Sequence, residues 1–247
     1  MRTDSLVPGK NPVVEAIRGN RKVFRIYISK DSNKNFQDEM LKLAQQHNIN
    51  LDKVPLDRLD KMVPTTEHQG IVAETEPFKY SQLDTVLKGF DYNNQKPLTL
   101  LILDHLTDPQ NFGAIIRTAD AVGVDGVIIP KRRSVDVNPT VMKASSGAAE
   151  HVPIIKVSNL RQTISKLKEQ WIWILGTDID GDRGIFEENY NIPLALVVGN
   201  EASGMSPLVK KECDFIANIP MIGRVNSLNA SVATAVVLYE IYRQKTN

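Results

Sequence analysis

The sequence predicts an α/β protein whose larger part is a parallel sheet with helices on both faces. Leu98–Leu103 and Leu194–Val198 are continuous apolar runs without polar alternation, the mark of strands covered on both sides. Segments of helical period separate such strands, and their ends carry start and stop residues such as Asn138-Pro139 and Gly123. A smaller α/β unit precedes them.

In that first unit, residues 1–77, Pro12–Arg18 reads as a short helix and Val23–Ile28 alternates as a strand. Phe36–His47 is helical by its apolar spacing, and Ile49–Val54 and Gly70–Ala73 read as further strands. The pattern weakens over residues 78–97. Asp91 to Pro97 is polar and turn-rich, which places a linker there. The second unit, residues 98–247, opens with the strand Leu98–Leu103, the helix Pro109–Val122 and the strand Gly126–Pro130. Asn138 and Pro139 supply an N-cap and a first-turn proline for a helix reaching Ala149. Strand Ile154–Val157, helix Leu160–Gln170 and strands Trp171–Leu175 and Leu194–Val198 follow. Ser206 and Pro207 start a short helix, Phe215–Ile219 is the last strand and Leu228–Arg243 the closing helix. Ligands of such sheets bind beyond the carboxyl ends of the strands. The loops after Leu103, Leu175, Val198 and Ile219 are therefore where a site is expected.

Of the 247 residues, 42% are hydrophobic and 24% charged, the balance of an ordinary globular protein. No apolar run approaches the roughly 20 residues that span a bilayer. No signal-peptide core follows Met1, so a cytoplasmic protein without a membrane partner is expected. The single cysteine, Cys213, has no internal disulfide partner, and no Cys/His cluster has zinc spacing, so no metal is expected.

A net charge of +1 says nothing about a nucleic-acid partner, but its distribution says more. Arg18, Arg21, Lys22, Arg25, Lys30 and Lys34 are opposed locally only by Asp31, and Lys131, Arg132 and Arg133 follow a strand end. Such clusters are either phosphate-neutralising surfaces or solvated faces.

Several classes are excluded at the loops. No GxGxxG opens a helix after the first strand, and neither a GxxxxGK[ST] loop nor a GxSxG elbow occurs. His47, His68, His105 and His151 share no metal spacing, and His151 reads as a structural residue after a helix end.

What the loops carry is polar and specific. Asp108-Pro109-Gln110-Asn111-Phe112-Gly113, with Arg117 beyond it, follows the first long strand. Gly199-Asn200-Glu201-Ala202-Ser203-Gly204 follows Val198, and Pro220-Met221-Ile222-Gly223-Arg224-Val225-Asn226-Ser227-Leu228-Asn229-Ala230-Ser231 follows Ile219. In this order the segments resemble the three motifs of the SPOUT methyltransferases, specifically the SpoU/TrmH family of ribose 2′-O-methyltransferases. Gly9-Lys10-Asn11-Pro12-Val13-Val14 and His68-Gln69-Gly70-Ile71-Val72-Ala73 resemble that family's ribosomal-RNA guanosine branch.

The resemblance implies a C-terminal trefoil knot, an exception to the rule against threading. It also implies S-adenosylmethionine as cofactor, a homodimer with the active site near the subunit interface, and an N-terminal RNA-binding domain like a small ribosomal protein. Arg117 is implied to activate the 2′-hydroxyl. Arginine is a poor base, with a pKa above about 12, so a phosphate grip and stabilisation of the developing alkoxide suit it better. Its bland alternative is a surface helix charge. Asn111 is implied to contact the ribose or Arg117, besides starting a helix, and Glu201 to orient Arg117 or the substrate. Ser227 and Asn229 begin the last helix, so either caps it and leaves the other for the ribose.

Cofactor contacts are implied at Gly199, Ile219, Met221 and Leu228, with glycine at 199 allowing close approach of the ligand. The bland alternative for these residues is plain core packing, and at Met221 the two readings are equally suited. Arg18, Arg21, Lys22 and Arg25 are the candidate RNA-binding cations. Two other functions fit less well: methylation of a tRNA guanosine, and a non-catalytic ribosome-assembly factor. Family members acting on tRNA commonly lack the extra N-terminal domain, and the intact polar motif residues argue against loss of turnover.

Overall fold

In the first unit four short strands rich in buried apolar residues form a mixed sheet. The computed structural model describes residues 5–19, 21–63, 68–90, 97–224 and 227–246. Strands β1 (Leu6–Pro8), β2 (Val23–Ser29), β3 (Asn50–Val54) and β4 (Ile71–Thr75) form a sheet in the order β1-β4-β2-β3. β4 runs antiparallel to β1 and β2, whereas β3 is parallel to β2. Helices α1 (Lys10–Arg18), α2 (Lys34–Gln46) and α3 (Leu56–Met62) connect the strands. Leu6, Tyr27, Val54, Leu59, Val63 and Val72 share one apolar core. Periodicity alone does not reveal β1 or α3, because three and seven residues are too short to display a period.

The second unit is built on a sheet that is parallel throughout. It begins with α4 (Leu83–Lys88), a short helix inside the stretch expected to be linker. Residues 91–96, the polar core of that linker, lie outside the described residues. The strands are β5 (Thr99–Leu103), β6 (Gly126–Pro130), β7 (Ile154–Val157), β8 (Trp173–Thr177), β9 (Arg183–Gly184), β10 (Leu194–Val198) and β11 (Phe215–Asn218). Their order is β7-β6-β5-β10-β8-β11-β9, every pair parallel. The helices along this stretch of chain are α5 (Pro109–Val122), α6 (Pro139–Ala144), α7 (Leu160–Glu169), α8 (Pro207–Lys210) and α9 (Ala230–Thr246), of which α6 packs with the first unit.

Leu98, Leu100 and Ile102 meet Leu160, Ile164 and Leu167 of α7 in one core. Leu101 and Leu103 alternate to the other face and are equally buried, which is why β5 carries no polar residue between them. Each such side chain contributes about 1.5–3 kcal/mol on burial. α5 packs against α9, and Lys245 Nζ ties the end of α9 to the start of the sheet. That ammonium donates to the carbonyls of Pro97 (3.1 Å) and Leu98 (2.9 Å) and to Thr99 Oγ1 (2.8 Å).

Three expectations change. The helix opened by Asn138, whose side chain accepts from Val141 N at 3.0 Å, ends at Ala144 and does not reach Ala149. Ser146 and Gly147 take φ of 53° and 91°, outside any right-handed helix, and a 3-10 turn, Ala148–Glu150, follows. The strand placed at Trp171 begins at Trp173, because Trp171 turns the chain out of α7 with φ 58°. The third concerns connectivity. One compact unit is Met1–Lys79 with Asp136–His151, the other Tyr80–Val135 with Val152–Asn247. The excursion 136–151 packs on β1 and α1, so a linear division at 78–97 leaves it with the wrong unit. A fragment beginning near Lys96 would keep the buried Val141, Met142, Ala148 and Ala149 without the strand and helix they pack on.

Cys213, in the turn between α8 and β11, offers a check of this packing. Burial first, then the Asp214 carboxylate, pushes its thiol up to about 12. At pH 8 this lowers the reactive thiolate population by roughly three orders of magnitude. Native protein is therefore expected to resist a disulfide-exchange reagent that labels the denatured chain at once. Rapid stoichiometric labelling of the native state would contradict the packing around β11.

Candidate active site

At the carboxyl ends of β8, β10 and β11 the loops enclose a cleft of about 480 Å³. Small-molecule sites of parallel sheets are expected there, and the volume falls within their usual range. Thr177 and Asp178 come from β8 and the residue after it, Gly199–Gly204 follow β10, and Ile219 and Met221 follow β11. Ser227, Leu228 and Asn229 close the cleft from the approach to α9.

The β10 loop is held by its own backbone. Asn200 N donates to Gly204 O and Gly204 N to Asn200 O, both at 2.9 Å, closing a tight loop over Glu201. Asn200 Nδ2 pins it by donating to His105 O at 2.8 Å. Gly204 adopts φ 65°, the left-handed region. Gly199, which lines the cleft, also has a packing reason to be glycine. A β-carbon there would lie 2.2 Å from Gly204 C and Met205 N, so it is the returning chain that comes close.

The polar residues of the three loops form one chain of hydrogen bonds. Asp108 caps α5 by accepting from Gln110 N at 2.9 Å, and Pro109 fits its first turn. This presents Asn111, nearly buried, whose Nδ2 donates to Glu201 Oε1 at 3.1 Å. Asn229 Nδ2 donates to Asn111 Oδ1 at 3.0 Å, while Asn229 Oδ1 accepts from Ser231 N at 2.9 Å. Because Ser231 N can only donate, it orients the Asn229 amide, which orients Asn111 in turn. Capping and site-building are thus not alternatives at Asn229. One amide does both.

Ser227 lines the cleft but is not part of that chain of bonds. Arg117 stands apart: its side chain is exposed on α5, makes no hydrogen bond or ion pair among the described residues, and does not line the cleft. Six residues advance a helix by about 600°, so Arg117 leaves α5 on another side than Asn111. Glu201, expected near Arg117, is hydrogen-bonded to Asn111.

The wall is apolar on one side and acidic on the other. Met221 and Leu228 remain 39% and 38% exposed and Ile179 62%, too much bare apolar surface for plain core packing. Burial would raise Asp178, but the Lys210 ammonium at 2.8 Å and the Asp180 N–H outweigh it and hold the carboxyl below its usual range. An acidic rim beside an apolar wall suits a ligand with a flat apolar ring and a cationic centre.

In the first unit the candidate RNA-binding cations are largely engaged. Arg18 pairs with Glu15 (3.2 Å) and Arg25 with Asp52 (2.6 Å), and Lys22 lies over the Phe24 ring. Arg21 is no surface cation. Its side chain is 6% exposed, paired with Glu150 at 3.1 Å and stacked over Phe78. Burial raises the Glu150 carboxyl and Arg21 opposes the rise, as in a buried pair whose members depend on each other.

The sequence profile described as the SpoU rRNA methylase family matches residues 98–239. The chain belongs to the SpoU rRNA methylase family. A second profile, RNA 2′-O ribose methyltransferase substrate binding, matches residues 6–81 of this SpoU chain. It is 44% identical over 239 residues to YacO of Bacillus subtilis (strain 168), assigned to the TrmH family of tRNA/rRNA methyltransferases. That alignment covers 97% of this chain and 95% of YacO. Among solved structures, the SpoU methyltransferase AviRb of Streptomyces viridochromogenes, crystallised with AdoMet, superposes with a TM-score of 0.79 at 28% identity. The superposition covers 98% of this chain and 90% of AviRb. The A. aeolicus TrmH/SpoU tRNA modifying enzyme is 33% identical, with a TM-score of 0.55 over 62% of this chain and 79% of its own. The SpoU chain carries a signal that sequence reasoning passed over, the adjacent Asp104-His105 pair. The Asp104 carboxylate, fully buried, accepts from Ser206 N and holds His105 Nδ1.

Proposed function

We propose that this protein methylates a ribose 2′-hydroxyl of RNA, at a guanosine of large-subunit ribosomal RNA. The observation that carries the reading is the Glu201–Asn111–Asn229 chain of hydrogen bonds, assembled at the cleft from three separate loops. S-adenosylmethionine is the methyl donor, supplying a sulfonium methyl that a nucleophile can take. The residues present fit it: Ile219, Met221 and Leu228 offer the apolar wall for adenine, and Glu201, whose partner Asn111 is neutral, the negative charge for a cation.

Within this reading Asn111 and Asn229 hold Glu201 and the ribose in place, and fixed positioning supplies much of the rate. Ser227, free of that network, is placed for the ribose or the cofactor. Arg117 grips the RNA phosphate and stabilises the alkoxide as the hydroxyl loses its proton. Its exposure on α5, away from its own chain's cleft, supports a homodimer in which it completes the partner's site. Val232, Tyr239 and Tyr242 on the exposed side of α9 add apolar surface for that contact. The trefoil knot belongs to the same reading. Ribosomal RNA is favoured over tRNA because the substrate-binding unit is present here, whereas the A. aeolicus tRNA enzyme aligns with only 62% of the chain. Guanosine follows from the resemblance of the Gly9–Val14 and His68–Ala73 segments to that branch.

Ribose methylation mapped in RNA from cells with and without the gene tests this directly. One alkali-resistant position in large-subunit rRNA is expected to disappear with the gene and return when purified protein and cofactor are added. A methyl group found on a base would overturn the chemistry. A lost mark confined to tRNA would overturn the substrate.

A further inference from the structure

A second cavity, of about 350 Å³, opens at the carboxyl ends of β5 and β6 and shares Asn200, Ser203 and Gly204 with the cofactor cleft. Its other walls are Asp104, His105, Thr107, Arg133 and Ser206. We propose that it seats the RNA backbone beside the target ribose, with Arg133 on a phosphate and the His105 ring on a neighbouring polar atom of the nucleotide.

Charge is the first argument. The side chains of Lys131, Arg132 and Arg133 are all exposed and, among the described residues, make no ion pair or hydrogen bond. Arg18, Arg21 and Arg25 of the first unit each already have a carboxylate. A cation without a protein partner is the one left to release counterions from phosphate. Strain is the second argument. His105 and Arg133 both hold left-handed backbone, with φ of 60° and 54°, unfavourable for residues bearing a β-carbon. Such conformations gather where the surrounding structure holds a side chain for a task. The third is the support beneath His105. Asp104 can only accept, so Nδ1 carries the proton between them, leaving Nε2 without a partner among the described residues and open to a ligand. The Asn200 side chain bonds to the His105 carbonyl, so the loop that walls the cofactor cleft also fixes this ring.

The inference rests on the RNA reading above, and one set of measurements separates their failures. Large-subunit rRNA purified from cells lacking the gene is bound to full-length protein across a salt series, with S-adenosylmethionine affinity measured in parallel by calorimetry. Arg133→Ala is expected to weaken RNA binding roughly fivefold at 0.15 M salt and to flatten the log–log salt dependence by about 0.7–0.9. Arg133→Glu should weaken it further, with cofactor affinity within twofold of wild type for both. His105→Gly, which keeps a residue that accepts the positive φ, should raise KM for RNA by more than any change in thermal midpoint from the lost Asp104 contact explains. His105→Asn should recover part of the loss. Unchanged RNA affinity and salt slope in both Arg133 variants would overturn the subsite while leaving the methyltransferase reading intact. A loss confined to cofactor affinity would assign the cavity to the cofactor's carboxylate and equally overturn it. Wild-type protein that neither binds nor methylates this RNA would bring down both.

Discussion

Replacing Arg117 with alanine is expected to abolish methyl transfer while leaving cofactor binding and stability essentially as they are. The side chain is exposed, has no partner among the described residues and does not line the cofactor cleft, so its removal leaves no buried group unsatisfied. Alanine is also the better helix former at this position in α5. In the proposed role, the loss is the stabilisation of the developing alkoxide, for which a single donor is worth about 10²–10³ in kcat. Arg117→Lys should recover little, because an ammonium cannot reproduce the planar fork. Single-turnover transfer with bound cofactor separates the effects: a near-normal rate in Arg117→Ala would remove this residue from the mechanism. If Arg117 acts across a dimer, mixing Arg117→Ala with a variant defective in its own cleft should restore turnover at one of the two sites of each mixed dimer.

The second large effect is expected at Gly199, where alanine should damage cofactor binding and stability together. The new methyl would lie 2.2 Å from Gly204 C and Met205 N and 2.6 Å from Gly204 O, all backbone atoms. No side-chain rotation relieves such a clash, and the paired Asn200–Gly204 hydrogen bonds resist opening. Overpacking of this kind costs about 1–3 kcal/mol, and more where the backbone must move. The displaced loop carries Glu201, so the Asn111 bond breaks as well and cofactor affinity should fall at least about tenfold. Gly204→Ala is the informative comparison. It meets no atom within 4 Å and suffers only from its positive φ, about 1–2 kcal/mol. Denaturant midpoints and calorimetry of the two variants test the ranking, and an undiminished cofactor affinity in Gly199→Ala would contradict the loop geometry.

These two residues also mark what can be read without coordinates. The motif around Arg117 stands in the sequence, and so does its helix, because Asp108, Pro109 and Gly123 are local start and stop signals. That Arg117 points away from its own cleft is a matter of helix phase against a sheet, which no motif expresses. Gly199 is likewise visible as a glycine, but the atom requiring it belongs to a loop that returns five residues later. His105 stands among scattered histidines in the sequence because its partner Asp104 is its own neighbour, a pairing that metal-type spacing does not express.

By itself the sequence determined the parallel sheet, the helices that cover it and the loops at its carboxyl edge. Continuous apolar runs are strands buried on both faces, and caps act over three or four residues, so both are written locally. The tertiary structure alone decided which charges are engaged and where short segments go. Arg21 reads as one of six basic residues until Glu150 arrives from far along the chain and buries it. The stretch 136–151 reads as part of the second unit until β1 and α1 supply the surface that covers Val141 and Met142. Asn229 reads as a cap until Asn111 stands within 3.0 Å of its other amide atom. In each case the deciding partner is remote in sequence, and a side chain's charge or amide looks the same whether or not that partner is there.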